Sequence, residues 1–297
     1  MKVIYTYRQY KTEPIHISDK GIDMMRVSVC SANKFYTTHL FCCKDSYNFF
    51  IKNNIPFTEI TILDELSELP NGENSLWSWS KIVTMKYQDE PWLHLDFDSI
   101  LTKPFGDFTE DVVFGFPDYY VDDMNVLSAS GVSHLTDIYL YWFYQLHNTN
   151  THSHEWDFKQ IPNASFIYCK SPNKIKKVIT KFESDNKWIL DTYVNNSDDD
   201  RIGELCCYFE QFLFTKYIRD FKLKTLIRNI DGYNNASVDS KSDFENDYQF
   251  IINYMNNGYF HFPLYKLLSN KTLDKIYLYF WEYFKINELR KFKIDIL

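Results

Sequence analysis

The chain has 297 residues, of which 45% are hydrophobic and 24% are charged, so it can fold as a globular protein with a sizeable core. Its formal net charge of −8 argues against nucleic acid as a partner, because phosphate backbones are bound by basic surfaces. An acidic protein that handles a phosphorylated small molecule needs a local cation to offset its own field.

Strand and helix patterns alternate through residue 101. Runs of β-branched and aromatic residues predict three strands, KVIYTY, THLFCC and FTEITIL. Helical spacing of apolar residues predicts helices after each of them, at GIDMMRVSVCSANKFY, KDSYNFFIKNNI and NSLWSWSKIVTMKYQ. A fourth strand, WLHLDFDSIL, spans residues 92–101. This alternation is typical of a parallel α/β sheet, in which ligands bind at the carboxyl ends of the strands.

The alternation loosens beyond Pro104. Two further strands are predicted, at DVVFGF and NASFIYC. Three helices are predicted, at SHLTDIYLYWFYQLH, SPNKIKKVITKFES and ELCCYFEQFLFTKYIRDF, and a polar exposed loop at 231–249. Because there is no internal repeat and no Pro/Gly/Ser-rich linker, we expect a single domain over residues 1–297. Residues 268–297 should form a C-terminal amphipathic helix packed on it, and contact of that helix with a membrane surface is the less favoured alternative.

Cysteine usage and hydropathy indicate the compartment. The six cysteines include two adjacent pairs and no C-x-x-C motif, which suits neither a zinc site nor a disulfide framework. We expect reduced thiols. The amino-terminal stretch has no long apolar segment, and no run approaches the roughly 20 apolar residues of a membrane helix. We therefore expect a soluble, cytoplasmic protein, in the host cytoplasm if its source is a virus.

Two carboxylates interrupt the fourth strand. Burying Asp96 and Asp98 is costly unless something positive meets them. Residues two apart in a strand share a face, so both side chains should project together, with Phe97 packed on the other side. Hard oxygen ligands suit Mg²⁺ or Mn²⁺, which also chelate diphosphates. The pattern predicts a site for Mn²⁺ or Mg²⁺, and the alternative is a solvated strand end capped by two acids.

Glycine content excludes other phosphate-binding classes. With only eight glycines, the sequence has no G-x-G-x-x-G and no Walker A motif, and it also lacks a G-x-S-x-G elbow. Dinucleotide-binding and P-loop proteins need those glycines for close approach of the backbone to phosphate. The two aspartates are therefore the stronger signal for a phosphate-containing ligand.

The segment PWLHLDFDSILTKPF resembles the metal-binding Asp-x-Asp segment of GT-A-fold glycosyltransferases, which use nucleotide-sugar donors. Further resemblance follows in the family's order, with a distantly glycogenin-like set of motifs. IPNASFIYCKSPN is similar to the Asn-Ala/Ser-Gly-type strand, CCYFEQFLFTKY to the acidic-Gln helix, and YFHFPLYK to the late His-x-x-Gly-x-x-Lys segment. Ser165 and Leu264 stand where the family has glycines. The resemblance spans roughly residues 2–266 and implies a GT-A (Rossmann-like) fold, a mixed, mainly parallel sheet flanked by helices.

The resemblance implies a ligand set for the metal and the diphosphate. Asp96, Asp98 and His261 would hold the ion, and Asp96 would also contact the bound donor. Lys266, one residue early relative to the family pattern, would contact the diphosphate. A metal and a lysine stabilise the charge that develops on a nucleoside diphosphate when it leaves.

The resemblance also implies residues that act on the sugars. Asn163 would help to hold the donor and acceptor sugars, and Glu210 and Gln211 match the acidic-Gln pair. A buried Glu210 could be the catalytic base of an inverting enzyme or a sugar-hydroxyl contact in a retaining one. The alternative places this acid on the exposed face of its helix.

The nucleotide should lie at the end of the first strand. Tyr5, Thr6 and Tyr7 end that strand, where the base and ribose lie in this fold. Lys81, on the helix before the acid-bearing strand, could reach the donor, and a solvated helix lysine is the alternative.

Together these patterns predict a metal-dependent glycosyltransferase. Its donor would be a nucleotide sugar, a UDP-sugar by expectation, and its acceptor a hydroxyl of a glycan, a protein or a lipid-linked compound. One alternative is another divalent-metal phosphoryl or nucleotidyl transferase, because Asp-x-Asp on a strand serves both chemistries. The other is a non-catalytic module that binds carbohydrate or nucleotide. The reaction products would distinguish the glycosyltransferase from the phosphoryl or nucleotidyl transferase. Turnover of a substrate would distinguish either enzyme from the binding module.

Overall fold

The computed structural model of the chain describes residues 1–9, 17–68, 77–115, 117–120, 160–193, 205–228, 258–261 and 277. Several predictions fall outside these ranges: Lys266, the helix at 133–147, the loop at 231–249 and all of 268–297 except Tyr277. The extent of the single domain therefore stays a prediction.

The described residues form eleven strands and six α-helices. The strands are β1 (Lys2–Tyr7), β2 (Thr37–Cys42), β3 (Glu59–Ile62), β4 (Trp92–Leu95), β5 (Ser99–Leu101), β6 (Val112–Phe114), β7 (Pro117–Tyr120), β8 (Gln160–Pro162), β9 (Phe166–Cys169), β10 (Thr225–Ile227) and β11 (Tyr259–His261). The helices are α1 (Asp19–Asn33), α2 (Lys44–Lys52), α3 (Asp64–Glu68), α4 (Trp77–Met85), α5 (Pro172–Tyr193) and α6 (Phe214–Asp220). A π-helical segment, Tyr208–Leu213, leads directly into α6.

Seven strands make the central sheet, in the order β10-β6-β9-β4-β1-β2-β3. The pairs β1–β2, β1–β4, β2–β3 and β10–β6 are parallel, and β9 lies antiparallel between β4 and β6. The α/β class with a mixed, mainly parallel sheet flanked by helices is thus confirmed. The sheet direction puts the ends of β1 and β4 and the start of β9 at one edge.

Helices cover both faces of this sheet through two buried clusters. One cluster contains Trp79 of α4 and Phe182 of α5, and the other contains Val29 of α1 and Phe50 of α2. The side chains of β4 alternate between them, with Trp92 in the first cluster, and Leu93 and Leu95 in the second. This alternation is what a strand buried on both faces requires.

The prediction of one strand over residues 92–101 is wrong. β4 ends at Leu95, and Asp96–Asp98 form a turn in which the Ser99 N–H donates to the Asp96 carbonyl at 3.0 Å. The chain then leaves the main sheet as β5 and pairs antiparallel with β11. The aspartates therefore lie in a half-buried turn rather than inside a buried strand.

Buried serines of α1 explain why β5 leaves the sheet. α1 begins after Ser18, whose Oγ accepts from the Gly21 N–H at 3.3 Å as an N-cap. Further along, Ser28 Oγ donates to the Ser99 carbonyl at 2.5 Å, and Ser31 Oγ accepts from the Leu101 N–H at 3.0 Å. These contacts give β5 hydrogen-bond partners outside the main sheet.

Four other elements differ from the sequence prediction. The helix predicted through 204–221 contains the π-helical segment, because the Phe214 N–H donates to the Phe209 carbonyl five residues earlier. The strand pair β7–β8 and the edge strand β10 were missed, since strands of three or four residues show little periodicity. No helix within the described ranges is long and apolar enough to cross a membrane.

Lys86 joins three helices and supports a stability prediction. It follows α4, and its Nζ lies 2.6 Å from Glu65 Oε1 of α3 and 3.1 Å from Glu183 Oε1 of α5. Burial lowers the pKa of Lys86, but the hydrogen bond that it donates to Glu65 and the charge of Glu183 outweigh this effect, so the pKa is raised. We expect Lys86→Met to reduce the free energy of unfolding by roughly 1–2 kcal/mol, measured by urea denaturation at neutral pH.

The matched control for this variant is Lys176→Met. Lys176 pairs with Asp89, whose side chain is 89% exposed, so its loss should lower the free energy of unfolding much less than the loss of Lys86 does. Equal effects of the two substitutions would show that Lys86 holds the helices together no better than a surface pair does.

Candidate functional site

The ammonium group of Lys81 lies between two carboxylates that are far apart in the sequence. Its Nζ is 2.8 Å from Asp96 Oδ1, 3.1 Å from Asp96 Oδ2 and 2.8 Å from Glu210 Oε2. The Lys81 and Glu210 side chains are only 6% and 4% exposed, whereas Asp96 keeps 28% of its side chain exposed. The cluster is therefore closed around Glu210 and more open at Asp96.

The hydrogen bonds of Lys81 account for its position. An ammonium has three N–H donors, and besides the two carboxylates Nζ lies 3.3 Å from the Ala164 carbonyl. These acceptors come from the turn after β4, the π-helical segment and the segment before β9. The predicted contact of Lys81 with the donor stays a prediction. Its observed contacts are with protein groups, so the alternative of a solvated helix lysine is wrong.

Electrostatics keep this lysine charged. Burial alone lowers the pKa of Lys81, but the nearby charges of Asp96 and then Glu210 more than reverse this, and its pKa is raised well above the usual range for lysine. Lys81 thus stays positive at neutral pH. In turn its charge favours the ionised forms of both carboxylates, because an opposite charge at hydrogen-bond distance stabilises an ion.

A second set of polar groups lies beneath Asp96. His94 of β4 has its Nδ1 3.9 Å from Asp96 Oδ1 and its Nε2 3.1 Å from Thr6 Oγ1. Thr6 Oγ1 is 2.6 Å from Thr84 Oγ1, which donates to the Lys81 carbonyl at 2.8 Å. Complete burial, and secondarily the charge of Lys81, lowers the pKa of His94 well below its usual value, so this imidazole is neutral.

Asn163 affects the cluster indirectly, because it holds the backbone of the turn that contacts Lys81 and Asp96. Its Oδ1 accepts from the Ser165 N–H at 2.9 Å and from the Ser165 hydroxyl, which fixes the turn before β9. That turn aims the Ala164 carbonyl at Lys81, and the Ser165 carbonyl accepts from the Asp96 N–H at 2.9 Å. Asn163 itself is buried, and its predicted contact with sugars stays a prediction.

Glu210 and Gln211 lie in the π-helical segment, where all six residues are buried. The alternative that Glu210 lies on an exposed helix face is therefore wrong. A π-helical turn holds one more residue than an α-helical turn, and such segments often occur at functional sites. Its position in this segment brings Glu210 to Lys81 of α4.

Asp98 ends the turn, and strand pairing brings the third predicted metal ligand near it. The register of β5 and β11 sets the backbone of His261 opposite Ser99, the residue after Asp98. Among the side chains that the structure describes, no group of three His, Cys, Asp or Glu residues could hold a metal. Metal binding by Asp96, Asp98 and His261 therefore stays a prediction.

The three residues predicted to contact the nucleotide have different surroundings. Tyr5 is fully buried, and its hydroxyl lies 3.1 Å from Ser28 Oγ, so its side chain belongs to the core. Thr6 joins the hydrogen bonds around His94. Tyr7 is half-buried and its ring packs edge-on to Phe97, 6.2 Å between centroids. Of the three, Tyr7 lies where the half-buried aspartate turn and the end of β1 meet.

Sequence reasoning missed two parts of this site. The Ala164 carbonyl is a backbone group, and no residue type indicates it. Thr84 follows Lys81 by three residues on α4, so helical spacing could have shown that both share a face, but Thr84 reads as an ordinary helix residue.

Comparison with known proteins gives a partial family match. A family of unknown function (DUF6734) matches residues 23–114, a range that includes Lys81, Asp96 and Asp98 and ends before Glu210. No curated protein matches the chain.

Several solved structures are similar to the chain. The galactosyltransferase LgtC, solved in complex with donor and acceptor sugar analogs, is 13% identical with a TM-score of 0.44, over 96% of this chain and 95% of that one. The glycosyltransferase GlyE of Streptococcus pneumoniae TIGR4 is 10% identical with a TM-score of 0.42, over 96% and 60%. The PaToxG glycosyltransferase is 15% identical with a TM-score of 0.35, over 74% and 73%.

Proposed function

We propose that the chain is a glycosyltransferase that moves a sugar from a nucleotide donor, a UDP-sugar, to a hydroxyl acceptor. The observation that carries this proposal is the convergence of Asp96 and Glu210 on Lys81 at the carboxyl end of β4. In α/β sheets this edge is where ligands bind. A buried acid next to a half-exposed one is an arrangement that acid–base or sugar-binding chemistry can use.

Glu210 is the group proposed to act on the sugars. Lys81 favours its ionised form, and burial strengthens any hydrogen bond that its carboxylate accepts. A carboxylate in this state can accept the proton of an attacking hydroxyl, or hold a hydroxyl of the transferred sugar. Gln211, the next residue, would add an amide that can donate to and accept from sugar hydroxyls.

The aspartate turn is proposed to hold Mn²⁺ or Mg²⁺. Asp96 and Asp98 are half-buried carboxylates two residues apart, and such hard oxygen ligands fit either ion. His261, whose backbone lies opposite Ser99, would be a third ligand. When bound, the ion would supply positive charge to the diphosphate leaving group. Lys266 is proposed to contact the same diphosphate, and Tyr7 to line the nucleoside side of the site.

Donor hydrolysis tests this proposal. Glycosyltransferases can hydrolyse their donor slowly without acceptor, so the protein would be screened against UDP-sugars and other nucleotide sugars with and without Mn²⁺. We expect one donor to be cleaved only with metal, and Asp98→Ala to lower that rate at least about 100-fold. Asp89→Ala, at an exposed acid, is the matched control and should keep the full rate.

The products distinguish the alternatives. Nucleoside diphosphate plus free sugar supports glycosyl transfer, whereas pyrophosphate plus a nucleotide conjugate would indicate a nucleotidyl transferase. Ligand binding with no turnover by any donor would indicate a binding module. Metal-independent cleavage at the same rate in Asp98→Ala would remove the metal from the proposal.

A further inference from the structure

Trp77 is an exposed aromatic residue at the start of an otherwise buried helix. It is 37% exposed, while residues 78–85 of α4 are all buried. α4 precedes β4 and its first turns reach the aspartate turn, as the contact of Lys81 with Asp96 requires. The indole therefore lies at the rim of the candidate site rather than on a remote surface.

The indole also borders the charged cluster directly. Lys81 Nζ lies 5.5 Å from the centroid of the Trp77 ring, within the range of a cation–π contact. The same ammonium holds Glu210 at 2.8 Å. The Lys81 ammonium thus contacts both the exposed Trp77 ring and the buried Glu210, the acid that we propose acts on the sugars.

The first turn of α4 lies against Cys206. The Cys206 thiol, close before the π-helical segment, is buried, and burial raises its pKa to about 12. Backbone N–H groups of Ser78 and Trp77 donate hydrogen bonds to this sulfur and work against that rise. These contacts join the backbone that carries the indole to the segment that leads into Glu210.

We propose that Trp77 is the platform on which a sugar ring of a glycan acceptor stacks, with the accepting hydroxyl directed toward Glu210. This inference rests on the proposed glycosyl transfer. One face of a pyranose presents C–H groups with partial positive charge, and these match the negative π face of an indole. A rigid indole also binds with little loss of side-chain entropy.

The position of Trp77 favours the acceptor over the donor nucleotide. Tyr7 and Phe97, at the proposed nucleoside side, pack with Phe50 in the cluster on the α1–α2 face of the sheet. Trp77 extends from the opposite face, where α4 and Glu210 lie. The two aromatic surfaces thus flank the aspartate turn from opposite faces, as donor and acceptor must flank the transferred sugar.

The test compares Trp77→Ala and Trp77→Phe with Tyr87→Ala. Tyr87 is 42% exposed just beyond the other end of α4, so it is a matched exposed ring away from the site. With a cleavable donor, we expect Trp77→Ala to raise the acceptor KM for methyl glycosides at least about 10-fold, a larger effect than on the rate of acceptor-free donor hydrolysis. Trp77→Phe should keep most of the affinity, and Tyr87→Ala all of it.

Direct binding separates failure of this inference from failure of the proposed function. Saturation-transfer NMR would use methyl glycosides of glucose, galactose, N-acetylglucosamine and mannose, with glycerol as a polyol that has no ring. Binding of a glycoside that Trp77→Ala abolishes supports the platform even if no donor is cleaved. No glycoside binding to the wild-type protein, equal binding by Trp77→Ala, or transfer to a serine, threonine or tyrosine peptide alone would overturn it.

Discussion

Replacing Lys81 with methionine is expected to lower the free energy of unfolding by roughly 3–5 kcal/mol, because it leaves two carboxylates in the protein without the cation between them. Methionine keeps the apolar stem of the lysine up to Cε, so the change removes mainly the charged ammonium. Asp96 and Glu210 are 28% and 4% exposed, and water can compensate the first far better than the second. The measurement is urea denaturation followed by far-UV circular dichroism.

The free energy of unfolding that Lys81→Met loses should depend on pH in a defined direction. In the wild type the pKa of Lys81 is raised, so its contribution is complete below the ordinary lysine pKa of about 10.4 and is lost only as pH rises through the higher folded-state pKa. The variant lacks this contribution over the whole neutral range. Its deficit should shrink as the pH falls, because protonation of Asp96 and Glu210 then removes the charges that lost their partner.

Lys86→Met is the matched control for this variant. Lys86 also bridges two acids, Glu65 and Glu183, but these are 33% and 20% exposed, so the expected loss is smaller. A Lys81→Met variant no less stable than Lys86→Met, or a loss that does not change with pH, would mean that the buried cluster contributes no more than a half-exposed bridge. The aspartate turn would then not depend on Lys81.

Periodicity is why the first half of the fold could be predicted from the sequence. β1, α1, β2, α2 and β3 follow from local runs of apolar residues with period 2 or 3.6. β5, β10 and β11 could not be predicted in this way, because three residues carry almost no period and their pairing is set by distant partners. The break of the strand at Asp96 likewise depends on the hydrogen bonds of α1 to β5.

The candidate site, too, could be predicted from the sequence only in part. Residue types and motif order selected Lys81, Asp96 and Glu210 one at a time. The contacts among these three residues could not be predicted. They require the π-helical segment, which no local sequence pattern indicates, and the packing of α4 beside that segment. The argument that buried carboxylates need positive charge nearby applies to Asp96, which pairs with Lys81, whereas the predicted divalent metal stays a prediction.

Glu210→Gln is expected to have the largest effect on activity, a fall in kcat for glycosyl transfer of roughly 10²–10⁴-fold. Glutamine has nearly the same shape, and its amide oxygen can still accept a hydrogen bond from Lys81, which also keeps Asp96. Stability should therefore fall less than in Lys81→Met, so the two readouts separate catalysis from folding. Glu183→Gln, beside Lys86 and away from the cluster, is the matched control and should keep its kcat.

The pH profile of kcat then decides what Glu210 does. A general base must be ionised, so the wild-type rate falls at low pH and the Gln variant loses this acidic limb. A carboxylate that only holds a sugar hydroxyl gives a different result, in which KM rises and the acidic limb remains. An unchanged kcat and an unchanged KM would contradict both roles. Glu210 would then serve only to balance the charge of Lys81, and the catalytic group would have to be sought among the other residues near Asp96.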